Sequence, residues 1–272
     1  MLYIKNHQIN KPKTLLVLNI SAGLTNKINK SKTILPIKNQ CDFAKHRTIL
    51  PTLPAYNLAT ILTGAPLEFH GITDFKKTRT ISPVLENKYG LYPTIFYSLK
   101  KQKPDFTTAF FTNNSAAKNL VEIDLIDNFG ADVNYDDINL VSQNLTVIYD
   151  HDLYEAGITY GFDSNNYEQL LKEKIMAINN LIARNKDVTF IISSTNGGVH
   201  QGLENQGGLE NEELLIPLKI IDQEITCQKF NIPTSNTDIA TLVGYLMNFD
   251  LVQASTTRII TLLDKGIFKY EK

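Results

Sequence analysis

Net charge is almost absent from this chain. Its 27 Lys and Arg oppose 28 Asp and Glu, leaving −1, and the cations are scattered. A polyanionic partner needs concentrated basic surface, so no nucleic-acid partner is expected. Cysteine is scarce as well. Cys41 and Cys227 are too few for a disulfide framework. One bridge is open to them, but two reduced core thiols are the expectation. No apolar run approaches the ~18–20 residues of a membrane span. The polar stretch Met1 to Lys13 carries no apolar export core, and the six-residue run Leu15 to Ile20 behind it reads as a buried strand. These absences set the expectation of a soluble, cytoplasmic protein.

What is present is enough apolar material for a large core. Hydrophobic residues make up 43% of 272 positions and charged residues 20%, which excludes general disorder. Strand-like runs occur at 14–20, 106–112, 144–149, 188–192 and, broken by Pro217, at 214–221. Helical spacing is clearest at 167–184, where Leu170, Leu171, Ile175, Ile178 and Leu181 share a face. Shorter helices are expected at 57–62, 94–101 and 238–247, with another regular element at 258–263 and a polar loop over 150–165. Strands alternating with helices predict an α/β fold, a mostly parallel central sheet flanked by helices as a three-layer sandwich. The loops at 21–24, 52–57, 150–158 and 195–206 start where apolar runs stop, so they would share the ligand-bearing rim of such a sheet.

The segment Leu50 to Ile72 stands out: a tight turn, a short apolar helix ending at Gly64, then His70-Gly71. With five further blocks it resembles the alkaline phosphatase superfamily, in its type I phosphodiesterase and nucleotide pyrophosphatase branch. The other blocks are Leu16 to Leu24, Pro93 to Asp105, Tyr149 to Tyr167, Ile191 to Pro217 and Thr237 to Leu242. Their order follows that of the family from about residue 14 to 250. The resemblance implies one alkaline-phosphatase-like domain over 1–272 without a large cap insertion. It also implies chemistry at the rim: two zinc-like ions held by Asp and His, and a Thr or Ser nucleophile at a helix N-terminus.

Carried over position by position, that chemistry is missing. The first metal-binding Asp falls on Ala22 and the nucleophile on Pro54. The next metal-binding Asp and His fall on Tyr154 and Ile158, the Asp-His pair on Thr195 and Asn196, and the last His on Gln206. Ala, Ile and Pro have no donor atom, and neutral Thr, Asn and Gln are poor zinc ligands. Pro54 has neither hydroxyl nor N–H. The frame around these positions persists in Gly23, Asn57, Gly64, Gly71, Gly157, Gly197 and Gly207-Gly208. The expectation is a catalytically inactive relative with no cofactor, acting as a binding, scaffold or structural partner of another protein. A vestigial pocket of Asn57, Thr52, Asn196 and Gln206 is a candidate small-molecule site, although Asn57 also suits a structural bond at a helix start. The alternative is a metal-dependent phosphoester or sulfate-ester hydrolase with a site relocated to Asp150, Asp152 and His200, assisted by Glu155. Along an extended strand only Asp150 and Asp152 would share a face, and a solvated acidic loop is the simpler reading. His70, between a helix and Gly71, reads as structural.

Overall fold

The computed structural model describes residues 15–20, 40–76, 81–140, 142–199, 206–222, 225–226, 230–251 and 269–270. Ala22, His200, Cys227 and the element expected at 258–263 lie outside them.

An eight-stranded sheet forms the middle layer. Its strands are β1 (Leu15–Ile20), β2 (Gln40–Arg47), β3 (Thr108–Thr112), β4 (Asn128–Gly130), β5 (Leu145–Asp150), β6 (Thr189–Ser193), β7 (Leu218–Ile221) and β9 (Phe230–Ser235). A separate pair joins β8 (Ile225–Thr226) to β10 (Lys269–Tyr270). The order in the large sheet is β4-β3-β5-β1-β6-β7-β2-β9. Neighbours pair parallel except around β7, which runs antiparallel to both β6 and β2. Two reversals restore direction, so β2 and β9 end on the same rim as β1, β3, β5 and β6.

The pleat sends alternate side chains to opposite faces. Val147, Tyr149, Ile191 and Ile220 face one core, built with α1 (Pro54–Thr63), α3 (Ile95–Gln102) and α7 (Thr237–Met247). Ile148, Phe190, Ile192 and Ile221 face the other, covered by α4 (Asp152–Tyr160) and α5 (Asn165–Arg184). The result is the expected three-layer sandwich with a mostly parallel sheet. The remaining helices are one turn long: α2 (Leu67–His70) and α6 (Asn211–Leu214).

Four local expectations change. The stretch 150–165 is not an open loop, because residues 152–160 form α4. The strand expected over 214–221 begins only at Leu218, with α6 ahead of it. β2 and β9 carry too many polar residues to read as strands, yet they pair parallel with each other across a bulge between Phe43 and Lys45. Finally, Cys41 is fully buried and disulfide-bonded, not a reduced thiol.

Candidate functional site

The rim at the C-terminal ends of the strands gathers most of the positions singled out in the sequence, and its two halves are built differently.

Over β2, β6 and β9 the chemistry is neutral. Asn57, in the first turn of α1, is fully buried. Its Nδ2 lies 3.1, 3.1 and 3.2 Å from the carbonyl oxygens of Ile49, Pro51 and Leu53. Its Oδ1 accepts from Ile49 N at 3.0 Å and from Asn236 Nδ2 at 3.2 Å. Every polar atom of the amide therefore folds the turn before α1, and none is left over for an oxyanion. Asn236 continues the network. It donates to the Thr195 carbonyl at 2.9 Å, and its Oδ1 lies 3.2 Å from His46 Nε2. The Thr48 hydroxyl reaches the same Thr195 carbonyl at 2.5 Å. His46 Nδ1 accepts from Thr234 at 2.9 Å, so Nε2 carries the proton. Burial pushes this imidazole down to about 3, against the opposing pull of the Asn236 bond, so it stays neutral.

Thr195 and Asn196 are both fully buried and satisfy each other, with the Thr195 hydroxyl 2.8 Å from Asn196 Oδ1. Asn196 Nδ2 turns back to the Gly197 carbonyl at 2.8 Å. Pro54 opens α1 as its first residue, where a missing N–H costs nothing. His70 is a satisfied structural histidine. Its Nδ1 accepts from Ile72 N at 3.0 Å, and Nε2 meets the Thr60 hydroxyl at 3.2 Å.

Over β3 and β5 the chemistry is charged. Asp150 ends β5 fully buried. Its Oδ1 accepts from Asn113 Nδ2 at 2.8 Å and Asp152 N at 3.1 Å. Its Oδ2 accepts from the Tyr135 hydroxyl at 2.8 Å and Lys174 Nζ at 2.7 Å. Asp152 meets the same ammonium at 2.5 Å. The two carboxylates thus share a cation, and they do so because the chain turns into a helix at 152, not because an extended strand aligns them. Burial works to lower the Lys174 pKa, but the two aspartates overcome it and hold it above its ordinary value. Burial and then Asp150 raise the Tyr135 phenol well above its usual range. Beside this group, the Tyr149 hydroxyl meets His151 Nδ1 at 2.6 Å and His151 Nε2 meets Glu155 at 3.1 Å. That contact with His151 holds the Glu155 carboxyl below its ordinary value.

Between the halves lies a residue the sequence did not announce. Glu213, in α6, is 2% exposed. Its Oε1 lies 3.3 Å from the Thr52 hydroxyl and 3.2 Å from Gly208 N. Thr52 and Gly208 thus converge on one carboxylate. Burial, then the charges of Glu155 and Glu213, push the Tyr154 phenol up to about 12. The loop bearing Gln206 and Gly207 lies against the turn before α1, since a Cβ at Gly207 would sit 3.5 Å from Leu53. Two glycines also gain a reason. A Cβ on Gly157 or Gly198 would come within 2.1 or 2.3 Å of the Phe162 ring, which wedges between α4 and the loop after β6.

Sequence comparison matches the chain to no family model and to no curated protein. Solved structures do match it. Murine ectonucleotide pyrophosphatase/phosphodiesterase 5 superposes with a TM-score of 0.70 over 94% of this chain and 100% of that one, at 12% identity. The fold is that of the nucleotide pyrophosphatase/phosphodiesterases. The human counterpart gives 0.69 with the same coverage and 12% identity. Ps i-CgsB in complex with k-i-k-neocarrahexaose gives 0.61 over 94% of this chain and 77% of that one, also at 12% identity. An identity of 12% makes this a likeness of fold.

Does this rim fit the two metal ions that the fold implies? Pro54, Tyr154, Ile158, Thr195, Asn196 and Gln206 offer no carboxylate or imidazole. Among the described residues, no group of three or more His, Cys, Asp or Glu is arranged to hold a metal. Asp150 and Asp152 are held by Lys174. The residues do not fit a two-metal centre, and no step is routed through one. The arrangement places bonded neutral amides on one side, an ion-paired clasp on the other and a carboxylate in the middle.

Proposed function

We propose that this protein is a catalytically inactive member of the phosphodiesterase-like fold that works as a binding or scaffold partner of another protein. The observation that carries the reading is the state of Asn57. The side chain that resembles the family's phosphate-contacting Asn spends both its donor and its acceptor on the turn at 49–53 and on Asn236. Pro54 beside it supplies no nucleophile. A small ligand in the old pocket would have to displace these bonds, so the Asn57, Thr52, Asn196 and Gln206 set favours architecture over a small-molecule site. The relocated hydrolase is less favoured for the same kind of reason, because both oxygens of Asp150 are already committed.

Two exposed leucines support a protein partner. Leu50 is 49% exposed and Leu209 is 71% exposed, each next to a segment that closes on Glu213. No helix among the described residues is long and apolar enough to cross a membrane. The bonded Cys41 favours an oxidising compartment over the cytoplasm.

The test is direct. The purified protein, supplied with excess zinc and then desalted, is assayed for bound metal and for hydrolysis of bis-p-nitrophenyl phosphate and of a sulfate monoester. The expected outcome is sub-stoichiometric zinc and no turnover above solution background. Stoichiometric zinc together with turnover overturns the proposal.

A further inference from the structure

The carboxylate of Glu213 has no counterpart in the chemistry that the fold would otherwise perform. Its side chain is 2% exposed and lies where two rim segments meet. The turn before α1 presents the Thr52 hydroxyl to it at 3.3 Å. The loop after residue 205 presents the Gly208 N–H at 3.2 Å. Gly208 is fitted to this contact, because a Cβ there would lie 2.4 Å from Oε2. The backbone that positions Glu213 is itself pinned. Its carbonyl accepts from Gly197 N at 2.8 Å, and a Cβ at Gly197 would lie 1.7 Å from the Glu212 carbonyl oxygen. A carboxylate with no cationic side chain in hydrogen-bond contact among the described residues is not placed among neutral donors by hydrophobic packing alone. The donors around it are of the kind that receive an oxyanion.

We infer that Glu213 is a built-in occupant of a latent oxyanion pocket formed by the Thr52 hydroxyl and the Gly208 N–H. It closes that pocket to phosphate-like ligands and ties the turn at 50–54 to the loop at 206–208. The inference rests on the proposed inactive state, which it deepens: the rim is filled by the protein's own anion. The ligand class that the pocket would accept, once emptied, is a small oxyanion such as inorganic phosphate or a carboxylate.

The experiment compares wild type, Glu213→Ala and Glu213→Gln in thermal melts, titrated with inorganic phosphate, acetate or chloride at matched ionic strength. The Ala variant is expected to melt about 5–10 °C lower. Phosphate and acetate should then raise its midpoint saturably by about 2–5 °C, and chloride should not. Wild type and the Gln variant, whose pockets stay filled, should show no anion-specific rise. A wild type that responds to phosphate as strongly as the Ala variant overturns the inference, and so does a folded Ala variant that ignores both oxyanions. Should the Ala variant fold poorly, its refolding yield is read instead. Recovery with phosphate or acetate but not chloride supports the pocket, and no recovery with any anion overturns it. Bound zinc and diester turnover are measured on the same wild-type preparation. Turnover there sinks the inactive reading, whereas the melts judge only who occupies the pocket.

Discussion

The two halves of the rim solve the same problem in opposite ways. Each must bury polar groups where the strands end. Over β2, β6 and β9 the solution is neutral: Asn57, Asn236, His46 and Thr195 exchange hydrogen bonds, with His46 kept uncharged by burial. Over β3 and β5 the solution is ionic: Asp150 sits fully buried against Lys174, Tyr135 and Asn113. A neutral network costs little to bury and loses about one group's desolvation when cut. A buried ion pair gains little net over apolar packing, yet is costly to halve, because the surviving charge is left alone. The difference teaches that one rim can bury its polar groups by two chemistries, a neutral network and an ion-paired clasp.

The largest effect expected from breaking the comparison is on the ionic side. Lys174→Met should cost about 3–5 kcal/mol by leaving Asp150 unpaired, read as the midpoint shift in urea unfolding. The double variant Asp150→Asn with Lys174→Met should recover a substantial part of that. If the double variant is as unstable as the sum of the singles, the clasp does not act as a unit. Next comes the neutral side. Asn57→Ala should cost about 2–4 kcal/mol, since the backbone groups at 49–53 lose their partner, and this loss should be nearly independent of salt. A strong salt dependence would contradict a neutral hub.

Acid and alkali should separate the halves further. The unfolded chain protonates His46 near its ordinary 6.5, while the folded protein resists down to about 3. Stability should therefore fall as pH drops from about 6.5 toward 3, and His46→Asn should flatten part of that slope. The clasp works in reverse. Lys174 is raised above 10.5, so its contribution is present below that value and is lost as pH climbs past it. Tyr135, held protonated in the folded state above its usual 10.0, adds to the alkaline loss. Melting curves across pH that fail on the acid side alone would show the clasp to be energetically idle. The smallest effect belongs to Glu155→Gln. Its side chain is 66% exposed, so its pair with His151 should contribute less than about 1 kcal/mol, detectable mainly as a change with ionic strength.

Much of the fold was legible in linear pattern. The runs that became β3, β5 and β6 are short and apolar because both faces of those strands are covered, and α5 shows its buried stripe at helical spacing. β2 was not legible. Gln40 to Arg47 alternates Cys41 and Phe43 inward with charged neighbours, and its polar end is stabilised by His46 in the hub. β9 carries Pro233 on the sheet edge, where no ladder donor is needed. α4 was hidden by Gly157, which looks like a helix breaker but is there to admit Phe162. At the site, the lack of a carboxylate or imidazole at Pro54, Tyr154, Ile158, Thr195, Asn196 and Gln206 could be read directly. Glu213 could not, because an acidic residue two places after Asn211 in a run of glutamates has the pattern of a solvated surface.

The sequence by itself determined the layers, because strand and helix periodicities are local properties of the chain. It also determined which donor atoms the rim lacks, because a proline or isoleucine brings none to any fold. The tertiary structure decided where the remaining polar atoms went. Only the meeting of loops far apart in sequence puts Asn236 on Asn57, Lys174 on Asp150 and Glu213 on Thr52 and Gly208. Whether a buried polar group is a cost, a fastener or an occupant depends on the partner that packing delivers, and that is not written at its own position.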